Sequence, residues 1–443
     1  MRVVIVGSGA AGLTAASTVR KYDKEKEIIV ITKERDIAYS PCAIPYVIEG
    51  TIKSFEDIIM HKPEDYKKRK NIDVLTETEV IDIDSRGNKV VLDNGEKIDY
   101  DYLVLSTGST PFIPPIKGVN LDGVFTVKTI DDGRRILKYI EENNCKRAVI
   151  AGAGAIGLEM GYALKKRGLD VLIVEMAPQI LPRFLDPDMA EIVQKYLESE
   201  GIRFILSKPL EMIIGDDKVK GVVVGGKEFD ADIVILSTGV RPNIDLAKKA
   251  GCKVDKAIVV DEYMRTSIKN IYAAGDCVEV VDFITGEKTL SPFGSTAVRQ
   301  GKVVGLNIVG KNVEFPPVLN SAVSKIGSLE IGGTGLTAFS ANLKRIPIVI
   351  GKAKALTRAR YYPGGKDIYV KLVFGEDMKI LGCQIIGGER VAERIDLVSL
   401  AIYNGVKAEE LCKMEHCYAP PVAMVNEPIS LAAEEALNYF KNL

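Results

Sequence analysis

Short apolar runs that close on turns of small residues punctuate the first two-thirds of the chain. Val3–Val6 leads into Gly7-Ser8-Gly9-Ala10-Ala11-Gly12, and Ala148–Ala151 leads into Gly152-Ala153-Gly154-Ala155-Ile156-Gly157. Unbroken apolar runs of this length predict strands buried on both faces, and each glycine turn predicts the start of a helix. Tyr102–Ser109 and Asp232–Val240 resemble each other, each a buried run closing in Ser-Thr-Gly, so each unit ends on the same strand and turn. A further strand-like stretch, Asn270–Asp276, returns to the first unit, which places the second inside it. Pro111, Pro114 and Pro115 mark the outward crossover, and Arg241-Pro242-Asn243 marks the return. From about residue 320 the pattern changes. Strand-like runs at Ile368–Phe374 and Ile380–Ile386 precede an amphipathic helix with Ile395, Val398, Leu400, Ala401 and Ile402 on its apolar face. The predicted fold class is α/β: two Rossmann-like dinucleotide-binding domains, one inserted in the other, then a C-terminal α+β domain.

A single G-x-G-x-x-G is weak evidence. Two copies, each after a strand and before a helix, predict two bound dinucleotides and hence redox chemistry. The first glycine allows a tight turn, the second lets backbone approach a pyrophosphate, and the third lets helix and strand pack closely. The helix N-terminus then offers free N–H groups to the phosphates. A carboxylate at the end of the second strand binds a ribose hydroxyl in such units. Glu34, after Ile28–Lys33, and Glu175, after Val171–Val174, are the candidates.

Composition narrows the class. A net charge of −1 and a pI near 6.3 give no footprint for nucleic acid. No apolar run is long enough to span a membrane. The first strand begins at the N-terminus, which leaves no room for a signal peptide. Seven scattered cysteines, an odd number, argue against a secreted disulfide framework and for the cytoplasm.

With these motifs in place, the whole chain resembles the two-dinucleotide flavoprotein disulfide reductases. Thr266–Asp276 resembles that family's second FAD motif, whose Asp, here Asp276, reaches the flavin ribityl or pyrophosphate. The resemblance implies an FAD-binding domain over 1–111 and 241–319, an NAD-binding domain over 112–240, and a dimerisation domain over 320–443. It also implies a homodimer with shared active sites. Further cofactor contacts are implied at Lys33, Ser40, Val80, Thr107, Gly108, Ile156, Gly239 and Ala297. Glu159 resembles the Glu that positions the nicotinamide.

The family's Cys-x4-Cys pair is incomplete here, because Cys42 has Val47 at the partner position. Tyr39–Tyr46 resembles the single-cysteine branch: coenzyme A disulfide reductases, NADH oxidases and peroxidases, and NADH-dependent sulfur or persulfide reductases. A lone thiol can cycle as a thiolate, a sulfenic acid, a mixed disulfide or a persulfide. Ser40 as N-cap and Pro41 as first helical residue would set Cys42 in a first turn that favours its thiolate, with Pro45 shortening or distorting that turn. Cys145, Cys252 and Cys383 read as buried structural cysteines.

Oxidases and peroxidases of the branch carry a His in the first glycine motif, where this chain has Ala10. Coenzyme A disulfide reductases use two tyrosines of the partner subunit. Tyr418-Ala-Pro-Pro421 and Tyr361-Tyr362-Pro363 resemble those segments, with Tyr361 and Tyr418 favoured and Tyr362 not separable from Tyr361. The plain alternative is that these tyrosines pack at an interface. Pro41 replaces an Asn common before the active Cys. Lys21 lies where a basic residue near the pantetheine phosphates is expected. His416-Cys417 lacks further ligands, and no metal site is predicted.

The resulting expectation is an FAD-dependent reductase of coenzyme A disulfide or related small disulfides and persulfides. Its catalytic residues are Cys42, Tyr361 and Tyr418, and its donor is NADH, with NADPH as the alternative. Glu175 would repel a 2′-phosphate and so favour NADH. The competing readings are an NADH oxidase making peroxide or water, a non-enzymatic flavoprotein redox sensor, and, last, a ferredoxin-reductase-like protein.

Overall fold

The structure, a computed structural model, describes residues 1–441, with side chains through Asn438. The chain divides into two compact units. The first comprises Met1–Phe112, Val127–Lys138 and Gly239–Val318, and the second Ile113–Thr126, Tyr139–Thr238 and the chain from Leu319 onward.

The first unit is built on a five-stranded parallel sheet in the order Ile271–Ala273, Tyr102–Leu105, Arg2–Val6, Glu27–Ile31, Asp73–Leu75. Its central strand carries Val3, Val4 and Ile5 at 0 % exposure, as an unalternating apolar run requires when helices cover both faces. Each such side chain contributes roughly 1.5–3 kcal/mol by leaving water. The helix Ala10–Tyr22 packs against the helix Gly294–Ile308 through backbone: a Cβ on Gly301 would lie 2.3 Å from the Ala11 carbonyl oxygen. A three-stranded antiparallel sheet, Val80–Asp84, Lys89–Leu92 and Lys97–Asp99, completes this unit's crossover.

The second unit repeats the plan. Its parallel sheet runs Arg203–Ile205, Asp170–Val174, Arg147–Ala151, Ile233–Leu236, Val124–Phe125, and its antiparallel sheet comprises Leu210–Gly215, Val219–Val224 and Lys227–Asp230. The two parallel sheets share strand order except at one edge, where the strand comes from before the unit in one case and after it in the other.

The chain leaves and rejoins the first unit along one ribbon. Ser109–Pro111 pairs antiparallel with Val240–Pro242, and Asn243 bonds Thr107 and Gly108. The segment 127–138 falls inside the span read from sequence as the inserted domain, yet its contacts lie with the first unit. Arg134 pairs with Asp36 and Glu56, and Gly133 abuts Phe55.

The second unit also holds an antiparallel sheet ordered Ala322–Ile326, Leu329–Gly335, Ile380–Gly387, Asp367–Gly375, Ile348–Leu356, covered by the helices Val391–Tyr403 and Pro428–Lys441. Ile395, Val398, Ala401 and Ile402 are buried on the first of these helices as expected, but Leu400 is 61 % exposed. It stands five residues from Ile395, well around the helix from the buried stripe.

A buried ion pair ties this sheet to the helix Pro187–Ser199 within the second unit. Lys371 Nζ lies 2.9 Å from Asp186 and 2.8 Å from Asp188. Asp186 also accepts from Gln384 Nε2 at 2.7 Å and from the N–H groups of Ala338 and Phe339. Burial pushes the Asp186 carboxyl up, but the Lys371 ammonium and these donors more than offset it, leaving it below its ordinary value. Removing one partner strands the other charge. Lys371→Ala is therefore expected to cost about 3–5 kcal/mol in urea unfolding at neutral pH. A loss within about 1 kcal/mol, the scale of a surface pair, would show that the pair is dispensable.

Candidate active site

Both glycine loops have the same geometry. Gly7 and Gly152 sit at φ 107° and 104°, a region that disfavours side chains, and a Cβ on either would meet the carbonyl oxygen of Ser106 at 2.2 Å or of Ser237 at 2.4 Å. The serines close each loop from the neighbouring strand. Ser106 Oγ donates to Val6 O and Gly7 O, and Ser237 Oγ to Ala151 O and Gly152 O. A Cβ on Gly12 or Gly157 would lie 2.1 or 2.0 Å from the first glycine's carbonyl oxygen. By contrast, the middle glycines, Gly9 and Gly154, face open space, with no atom within 4 Å of a Cβ among the described residues. They are also the N-caps of the helices Ala10–Tyr22 and Ala155–Lys166, and neither end has a side-chain cap among those residues. Ala10, Ala11 and Ile156 lie in the first turns. Free N–H groups, a positive helix end and backbone open to approach fit a pyrophosphate.

The two acidic residues differ. Glu175 follows its strand directly, and its carboxylate accepts from Ala153 N and Ala177 N, both at 2.8 Å, so one oxygen buttresses the second glycine loop. The register-equivalent position in the first unit is Thr32: Thr32 N bonds Leu75 O as Glu175 N bonds Ile205 O. Glu34 lies two residues further on, beside exposed Lys33, and accepts from the Tyr39 hydroxyl. Burial raises the Glu34 carboxyl above its ordinary value, partly opposed by that hydrogen bond. The sequence-level equivalence of Glu34 and Glu175 therefore does not hold in register, because Glu34 lies two residues further past its strand than Glu175 does.

Asp276 follows the edge strand of the first sheet. It accepts from Ser109 Oγ at 2.7 Å and pairs with Lys128 Nζ at 3.2 Å. The preceding Gly275 N donates to buried Gln300. Thr107 Oγ1 donates to Asn243 O. Gly108 and Gly239 both have positive φ and open space at Cβ. Ala297 lies in the first turn of Gly294–Ile308, and Val80 is buried at the start of its strand. Sequence reading missed Lys128, which lies 148 residues from Asp276 and in no motif.

Cys42 is exposed, in a 3-10 turn, Pro41–Ala43, that runs into the short helix Ile44–Glu49. Pro45 lacks the N–H that would continue an α-helical ladder from Pro41, so Ile44 N closes the tighter turn instead. Ser40 occupies the cap position but makes no side-chain cap bond, contrary to the expected role. Val47 is buried. Cys145, Cys252, Cys277 and Cys383 are buried, and burial pushes each of these thiols up, away from the reactive thiolate.

In the second unit Glu159 accepts from Ser324 Oγ at 2.6 Å, and burial raises its carboxyl. Tyr361 and Tyr418 come together, their hydroxyls 2.7 Å apart, both rings exposed. This separates Tyr361 from Tyr362. The Tyr361 segment is braced by a bidentate Arg358–Glu389 pair at 2.8 and 2.7 Å. No cluster of three metal-ligating side chains exists among the described residues, and no helix among them is long and apolar enough to cross a membrane.

The family signature described as pyridine nucleotide-disulphide oxidoreductase matches residues 1–301, and that family's dimerisation domain matches 321–428. The chain belongs to this family. Its members use FAD and NAD(P)H, and the chain is an NAD(P)H-dependent flavoprotein oxidoreductase with a dimerisation domain. It is 72 % identical to an NADH oxidase of Methanocaldococcus jannaschii over 100 % of both chains. It is 38 % identical to a CoA-dependent NAD(P)H sulfur oxidoreductase of Pyrococcus furiosus over 98 % of each. The structure of an NAD-dependent persulfide reductase from A. fulgidus superposes with a TM-score of 0.97 at 37 % identity, covering 100 % of this chain and 84 % of that one.

The two kinds of loop glycine separate by substitution. Gly9→Ala, with room for its methyl, is expected to fold normally yet bind FAD at least about tenfold more weakly, the effect of about 1.4 kcal/mol. Gly12→Ala should lower thermal stability as well. Flavin absorbance per protein and the melting temperature of the apoprotein report both, and equal effects of the two substitutions would contradict this division.

Proposed function

We propose that the chain is an NADH-dependent, FAD-containing reductase of coenzyme A disulfide and related small disulfides and persulfides, with Cys42 as its redox-active sulfur. The observation that carries this reading is the exposed Cys42 at a helix start, opposite a buried valine where a partner cysteine would stand. We assign FAD to 1–111 and 241–319, with the first glycine loop and Asp276 as its main contacts, Asp276 being paired with Lys128 of the segment 127–138 that packs on the first unit. We assign the nicotinamide nucleotide to 112–240, with the second loop, Glu159 and Glu175. Residues 320–443 form the homodimer, in which active sites are shared between subunits. Thiols free of disulfides at all seven cysteines suit a reducing cytoplasm.

Bound FAD would accept a hydride from the nicotinamide and return two electrons to sulfur. The protein's own steps are these. The Cys42 thiolate attacks a disulfide, forming a mixed disulfide and expelling one thiolate. A phenol of the Tyr361–Tyr418 pair protonates that leaving group. In a pair 2.7 Å apart one hydroxyl donates to the other, which leaves the acceptor's proton free for substrate. The hydrogen bond with Tyr361 raises Tyr418, keeping it protonated at neutral pH. Two-electron reduction of the mixed disulfide releases the second thiol and restores Cys42. The sum is NADH, one proton and a disulfide giving NAD⁺ and two thiols.

The second reading, an NADH oxidase, is favoured by the name of the 72 % identical relative. Ala10, in place of the His of such enzymes, weighs against it.

Anaerobic NADH oxidation with coenzyme A disulfide by the FAD-loaded protein decides between them. The first reading expects two thiols per NADH and a loss of at least about 100-fold in Cys42→Ser. Negligible anaerobic turnover with brisk oxygen consumption would put the oxidase first. For the donor, removal of the negative charge in Glu175→Gln is expected to shrink the kcat/KM preference for NADH over NADPH about tenfold. An unchanged ratio would remove Glu175 from the discrimination.

A further inference from the structure

Tyr418 sits in a segment, 414–427, that lies between the helices Ala408–Lys413 and Pro428–Lys441 and contains no regular element. Such backbone needs other partners. Val422 N and Ala423 N bond Ala419 O, and Pro420 O accepts from Ala359 N next to the Tyr361 segment. At its end Glu427 forms a bidentate pair with Arg394 at 2.6 and 3.1 Å.

The tie across the loop is His416. Its Nε2 lies 2.7 Å from the Val425 carbonyl oxygen and its Nδ1 3.2 Å from that of Met414. Carbonyl oxygens only accept, so each ring nitrogen must donate to make both bonds. Imidazole carries two N–H groups only as the cation. A neutral ring keeps one bond and sets a lone pair against a carbonyl at the other.

We propose that protonated His416 is a positioning residue: it clamps the 414–425 loop in the shape that holds Tyr418 against Tyr361, and loss of its proton to solvent releases the loop. The catalytic consequence rests on the role assigned above to Tyr418; the clamp itself does not. Val425 O and then Met414 O raise His416 above its ordinary value of 6.5, burial opposes them, and the charge that reaches the ring is that of Glu427, itself held by Arg394. A raised value means the clamp is fully present below pH 6.5 and is lost as pH rises through the higher value in the folded protein.

The test is hydrogen–deuterium exchange of peptides covering 414–425 in the full-length, FAD-loaded protein between pH 6 and 9, corrected for intrinsic exchange. Protection is expected to fall about tenfold with rising pH in the wild type and to stay level in His416→Gln. Peptides of the glycine loops should show no such fall in either. Level protection in the wild type, or the same fall in the Gln variant, overturns the proposal, the latter by assigning the titration to another group such as Cys417. The chain has two histidines, so His61→Gln leaves a single imidazole resonance for NMR titration. A value at or below 6.5 would also overturn the clamp, whatever the fate of the Gln variant. In turnover, kcat should lose its alkaline limb in His416→Gln while KM for NADH is unchanged. Wild-type turnover in Tyr418→Phe would defeat the catalytic reading and leave the exchange and NMR results to judge the clamp alone.

Discussion

Backbone contact without an intervening Cβ is the constraint on which both parallel sheets depend. At the end of each central strand, one glycine turns against a serine carbonyl and another, five residues later, lets the helix start lie directly on that turn. The closing serine then bonds both the strand and the turn from the adjacent strand. Three elements thereby converge within van der Waals contact, and the helix end they present is left with N–H groups that seek an anion. Larger side chains at these points would separate strand from helix and move the anion-seeking groups out of line. The device is used in both units, whose parallel sheets coincide in order over four strands each.

Much of this was legible in sequence because it is local. A glycine spacing, an apolar run and a Ser-Thr-Gly ending are read within a few residues, and the strands, helix starts and closing serines follow from them. What escaped reading is long-range or depends on register. Lys128 reaches Asp276 across 148 residues, a pairing that no spacing encodes. Glu34 and Glu175 each follow an apolar run, and only the ladder shows that Thr32 occupies the equivalent place. Leu400 is apolar like its neighbours, yet its helical phase turns it away from the buried stripe. The pairing of Tyr361, rather than Tyr362, with Tyr418 depends on how two irregular segments lie together, which neither segment states by itself.

The cysteines illustrate how burial sorts chemically identical groups. Four thiols sit in apolar surroundings that hold them protonated, while Cys42 is placed in the open by a proline-shaped turn. The two prolines there have separate effects. Pro41 occupies the first position of the turn, where its missing N–H costs nothing, and Pro45 denies the α-helical bond that would have drawn the turn into a longer helix.

The ribbon of Ser109–Pro111 with Val240–Pro242 bears on the order of folding. The edge strand Ile271–Ala273 must find Tyr102–Leu105 across the whole intervening chain, a closure that is slow and entropically unfavourable while that chain is disordered. Pairing of the ribbon brings the two ends of the intervening chain side by side. From then on the edge strand searches across residues 243–270 instead of across the whole insertion, so a paired ribbon shortens the closure of the interrupted sheet.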